Sequence, residues 1–171
     1  VVTLLRSLVV AVLVVLAVAL QVGPFTVFSF AGVVPDLALL VVLATALVRG
    51  PEYAALVGFA AGLLLDVAPP ADHTAGRWAL AFVVVGYLAG LVRYDARSSA
   101  LAAVVVVAAG SFIATSLFAL SGLVLGDPGV SVDGVLRVLP IAVVYDVVLT
   151  PFVLPVCVVL LGRLQPAPEW R

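Results

Sequence analysis

Long apolar runs separated only by short clusters of charge, proline and glycine leave this chain few folds to choose from. About 20 apolar residues in a helix cross a bilayer's hydrocarbon core, and runs of that order recur from one end of the 171 residues to the other. Charged residues make up only 10% of the chain and hydrophobic residues 65%, with a mean hydropathy of +1.39. A soluble domain carries roughly 25% charged residues. So few charges cannot cover a water-facing surface, and lipid is the expected solvent. The net charge of −1 without a basic stretch gives no support to nucleic-acid binding. The lone cysteine, Cys157, excludes an internal disulfide and a cysteine-based metal cluster.

The punctuation predicts an all-α integral membrane protein, a single domain over 1–171 with six spans. They cover about 4–22, 25–48, 52–67, 78–92, 100–125 and 135–161. The first apolar run follows Arg6 and continues past Gln21, so a retained span is expected rather than a cleaved signal peptide. The second is broken by Gly32 and Pro35-Asp36. From Asp36 to Val48 it is too short to cross alone. The residues before it are either an interfacial or re-entrant piece or the first half of a broken helix. Irregular backbone at membrane depth survives only where protein buries it or water meets it. Pro140, Pro151 and Pro155 predict kinks in the last span.

The basic residues are all arginine. With the N-terminus inside, six spans place Arg6, Arg49, Arg93, Arg97, Arg163 and Arg171 on the inner side and Arg77 and Arg137 on the outer. That satisfies the positive-inside rule and puts both termini in the cytoplasm.

Ala54, Gly58, Gly62 and Asp66 share one helical face at four-residue spacing. Gly58/Gly62 and Gly86/Gly90 are GxxxG pairs, which let helix backbones approach closely. These faces are suited to self-association as a homodimer, to a partner helix, or to packing of the third span on the fourth. Asp36 fits a helix N-cap. Asp66 falls at a helix C-terminus, where the dipole disfavours it, and Arg77 is the nearest compensating charge in sequence. Asp146 lies well inside a span, where a charge by default marks function. It is either protonated, hydrogen-bonded to Tyr87 or Ser111, or exposed to a water-filled cavity. Asp72-His73 has no second ligand cluster and reads as a solvated loop. No nucleophile elbow or phosphate loop is present, so no catalytic, metal or cofactor residues are assigned.

Pro35-Asp36-Leu37 opens an apolar helix, Arg49-Gly50-Pro51 turns, and Gly58-Phe59-Ala60-Ala61-Gly62-Leu63-Leu64-Leu65-Asp66 follows. This order resembles the "PDL … G … GFxxGLxxD" signature of the MreD family of rod shape-determining membrane proteins. The stretch 66–80 is similar to the actinobacterial branch. Gly86-Tyr87-Leu88-Ala89-Gly90 resembles the family's fourth helix, and Tyr145-Asp146 with Thr150-Pro151-Phe152 and Pro155 its last, where Asn is more usual than Asp146. The resemblance implies a fold similar to the six-helix substrate-binding subunit of energy-coupling-factor transporters. It implies a non-enzymatic cell-membrane component of elongation-phase peptidoglycan synthesis with MreC as partner. Through MreC it implies indirect links to MreB filaments, a SEDS glycosyltransferase and a class B penicillin-binding transpeptidase. The rival is a vitamin-type binding subunit of a transporter, which needs several convergent polar groups in the outer halves of its helices. Asp36, Asp66, Arg77, Trp78 and Ser111 are thin for that purpose.

Overall fold

A computed structural model describes residues 2–69, 71 and 73–163, with side chains from Ser7 onward. Seven helices make up the described chain: α1 (Val2–Val22), α2 (Leu37–Arg49), α3 (Pro51–Val67), α4 (Arg77–Leu91), α5 (Arg93–Ala96), α6 (Ala100–Leu125) and α7 (Val132–Gly162), with a 3₁₀ turn at Pro24–Phe28. The described residues form no strand, only an isolated bridge between Phe30 and Val33.

The interrupted apolar run after α1 takes a definite form. Gly23-Pro24 end α1, because proline has no N–H to continue the ladder. The 3₁₀ turn follows, and then Ala31 (φ 53°) and Gly32 (φ 79°) reverse the chain under the Phe30–Val33 bridge. Val27, Phe28 and Phe30 are exposed, and the segment is an irregular connection rather than the first half of a helix. The Tyr145 hydroxyl pins it to α7 by donating to Phe28 O at 2.8 Å. Helix resumes at Leu37, and α2 has 13 residues, or about 20 Å of rise. It is apolar on every side, as suits a helix with neighbours all round. Every residue from Leu37 to Val48 is buried, with α1, α3, α4 and α7 packed around it.

Gly50 (φ 93°) joins α2 to α3, and Pro51 occupies the first turn of α3, where its missing N–H costs nothing. α3 and α4 then form the most intimate pair in the bundle. Between α4 and α6, where no span is expected, the chain makes one helical turn, α5, whose Ala96 is buried. Ser99 and Ser131 cap α6 and α7, accepting from Ala102 N and Gly134 N, and Gly126 in the left-handed region closes α6. α7 begins at Val132, three residues before the expected 135, because Ser131 supplies the cap. The helix runs through all three of its prolines.

α6 and α7, with 26 and 31 residues, are long and apolar enough to cross a membrane; the apolar stretches Ser7–Val22, Leu37–Arg49 and Arg77–Leu91 are shorter. The bundle's outer faces carry large apolar side chains such as Leu56, Phe112 and Phe152, exposed by 64%, 52% and 71%, as lipid-facing helices do.

Candidate functional site: carboxylates at buried helix ends

The first amides of a helix have no intrahelical acceptor. In a helix that begins inside a bundle, water cannot satisfy them, and each unpaired one costs about 1–3 kcal/mol. α2 begins this way, and its N-cap Asp36 gathers with side chains from three other helices, α1, α6 and α7, at its head. Asp36 Oδ1 accepts from Leu39 N at 3.0 Å, and Gln21 Oε1 of α1 accepts from Ala38 N at 3.0 Å. Asp146 of α7 accepts from Asp36 N through Oδ1 at 2.8 Å. Its other oxygen accepts from Ser111 Oγ of α6 at 2.6 Å. Asp146 and Ser111 are each 1% exposed. Of the arrangements open to Asp146, the structure contains the bond to Ser111; Tyr87 lies 44% exposed on α4. The bond from Asp36 N needs only an oxygen acceptor, which a carboxamide at this position would also supply.

A second carboxylate does the same for α4. Asp66, 2% exposed at the end of α3, accepts from Gly76 N (2.8 Å) and Ala79 N (3.1 Å) through Oδ2 and from Trp78 N (3.1 Å) through Oδ1. His73 Nε2 lies 3.7 Å from Oδ1. The unfavourable dipole of its own helix is thus offset by the positive N-terminus of the next.

Compensation of Asp66 by Arg77 is therefore corrected. The Arg77 side chain leaves the α3–α4 junction and crosses to α6 and the loop beyond it. Its guanidinium pairs with Asp127, donates to Phe118 O at 2.8 Å and to Ser121 Oγ at 3.3 Å, and lies over the Phe118 ring at 3.9 Å. The reason is steric as well as electrostatic. The amides of α4 already occupy Asp66, while Gly122 leaves room for the guanidinium, which any Cβ there would overlap. Trp78 stacks on the same Phe118 ring, with centroids 4.3 Å apart. Asp127 lies in the loop outside the spans. The Gly129 N–H, and next the Arg77 guanidinium, hold its carboxyl below the ordinary value of 3.8.

The small-residue faces meet each other within the chain. A Cβ on Gly58 would overlap Phe82 O, and one on Gly62 the backbone of Ala79. One on Gly86 would sit 2.7 Å from the carbonyl oxygen of Ala54, and one on Gly90 would overlap Pro51. Helix backbones in such contact exchange dispersion energy that side chains would prevent.

The polar candidates thus fall into two groups, Asp36 with Asp146 at the head of α2, and Asp66, Arg77 and Trp78 at the head of α4. Asp72 lies outside the described residues. Among the described residues no three His, Cys, Asp or Glu side chains gather in a way that would hold a metal. Sequence reasoning did not anticipate Gln21, Ser121, Phe118 or Asp127. Gln21 carried a usable signal, as a polar residue at the end of an otherwise apolar span.

The model of the family "rod shape-determining protein MreD" matches residues 2–161. The chain belongs to the MreD family. Curated proteins and solved structures gave no significant match. As an MreD-family chain it is a membrane protein of the rod-shape system, and the membership gives its apolar helices and internally satisfied polar groups their context.

Proposed function

We propose that this MreD-family chain is a non-enzymatic scaffold of the elongation-phase peptidoglycan-synthesis complex and that it binds MreC. It crosses the bacterial cell membrane six times with both termini in the cytoplasm. The carrying observation is how its polar side chains are engaged. Asp36, Gln21, Asp146, Ser111 and Asp66 satisfy the heads of α2 and α4, and Arg77 clamps α4 to the α6–α7 loop. Polar groups used in this way make a frame. They fix a short buried helix and a glycine-lined helix pair in one arrangement, and the outer loops and lipid-facing surfaces are left to meet partners. Its action is positional, holding MreC beside the wall synthases, with the SEDS glycosyltransferase, the transpeptidase and MreB filaments reached indirectly.

The vitamin-carrier reading is weaker, since the same groups would have to turn from helix ends toward a ligand. Purification from mild detergent together with the neighbouring membrane proteins tests the proposal. Recovery of MreC is expected, and it should be lost when the outer loop 126–131 is replaced by glycine and serine. A tightly bound small molecule with no wall-synthesis partner would reverse the reading.

A further inference from the structure

At the end of the bundle opposite the head of α4, two arginines flank one glycine. Arg49 ends α2, and the Arg93 guanidinium packs so closely on Gly50 that a Cβ there would overlap it. Neither takes part in an ion pair among the described residues, where the pairs are Asp66–His73 and Arg77–Asp127. Arg49 Nε and Nη2 are buried without a hydrogen-bond partner, and the side chain lies 5.3 Å from the Tyr53 ring. Arg93 Nη2 donates to the Tyr94 hydroxyl at 2.7 Å, and Tyr94 is 73% exposed. Tyrosines and arginines at the end of a span mark the headgroup level of a bilayer. Beginning at this same turn, an apolar groove of about 240 Å³ runs between α4 and α6, lined by Leu88, Leu91 and Val92 on one wall and Val106, Ala109 and Ile113 on the other. Arginine charge outside any described ion pair, in turns that also hold the carboxylates Glu52 and Asp95, and an apolar channel leading away from it match the two halves of a lipid.

We propose that this juxtaposition is a binding site for an anionic phospholipid, with one acyl chain in the α4–α6 groove and the phosphate against Arg93. Arg49, the neighbour of Gly50 in the chain, has its Nε and Nη2 buried and contributes charge rather than a direct contact. The site is independent of the MreC-binding proposal, and its lipid belongs to the leaflet that the Arg49–Arg93 end faces.

The test is native mass spectrometry of the purified chain titrated with phosphatidylglycerol, with phosphatidylcholine as the neutral control. One phosphatidylglycerol should bind in preference. Each arginine near a membrane surface contributes about fivefold, so Arg49→Gln with Arg93→Gln should weaken binding roughly 25-fold. Ala109→Phe, which fills the groove on a lipid-facing position and leaves both arginines in place, should displace the lipid. The groove is also tested without substitution: glycerol phosphate and inorganic phosphate, which carry the charge and no chain, should neither bind nor compete. Undiminished phosphatidylglycerol binding by the double glutamine variant would overturn the proposal. Competition by inorganic phosphate would overturn it too, assigning the arginines to a free anion.

Discussion

Replacing Asp66 by alanine removes the acceptor for three amides at once. Gly76 N, Trp78 N and Ala79 N lie 2.8–3.1 Å from its carboxylate oxygens, and the residue is 2% exposed, so water does not replace it freely. Hydrogen bonds to a charged group contribute about 1.5–3 kcal/mol each, and an abandoned buried amide costs about 1–3 kcal/mol. The three are not additive, because the first turn of α4 can fray to share what water reaches it. A loss of roughly 3–6 kcal/mol is expected, a large part of the 5–15 kcal/mol that holds a typical domain folded. Asp66→Asn keeps one oxygen and should lose about half as much. The assay is unfolding of the purified chain in mixed micelles, read alongside amide hydrogen exchange over residues 76–80. Alanine should shift the unfolding midpoint and release protection at those amides before the rest of α4. A change under about 1 kcal/mol with protection at 76–80 intact would refute the capping role, because one buried and two part-buried amides cannot all be abandoned at so small a cost.

Asp146→Asn should be nearly silent in thermal unfolding, below about 1.5 kcal/mol, since an amide oxygen still accepts from Asp36 N and Ser111 can reverse its bond. Asp146→Leu should cost about 2–5 kcal/mol, because it strands the buried Asp36 amide and Ser111 hydroxyl. Gly62→Ala should destabilise by about 1–3 kcal/mol or more, as its Cβ meets Ala79 backbone that no rotamer change can move; detergent-unfolding midpoints decide this. The stability that Asp127 contributes has a definite pH dependence. Its folded value lies below the ordinary one, so the contribution is complete above the ordinary carboxylate range and disappears as pH falls through the folded value. The difference in midpoint between the protein and Asp127→Asn should therefore be constant from pH 7 to about 5 and shrink below about 4. A difference that grows on acidification would contradict the Arg77–Asp127 clamp.

The positions of the helices were legible because hydrocarbon makes one demand that can be read residue by residue. A span must be apolar and must satisfy its own backbone, so charge, proline and glycine accumulate where spans end. The head of α3 at Pro51, the limits of α6 and the break before α2 follow from that demand alone. The family signature was legible for a related reason: Gly58, Gly62 and Asp66 recur at a spacing that one helix face imposes. The partners of the polar side chains were not legible. Asp66 and Arg77 are eleven positions apart and opposite in charge, yet the carboxylate serves amides and the guanidinium crosses to α6.

Sequence by itself determined that the chain is helical, that lipid surrounds it, and which family it resembles, because composition and periodicity act locally along the chain. The capping role of Asp36 was also legible, because an N-cap lies next to its helix in sequence. Only the tertiary structure decided that Asp66 and Asp146 serve the heads of other helices, since backbone amides carry no mark in the sequence and compete for an acceptor as strongly as any side chain. It also decided that the glycine faces of α3 and α4 meet each other. A small residue permits close approach without naming what approaches, and the packing of the other helices around α2 supplies that choice.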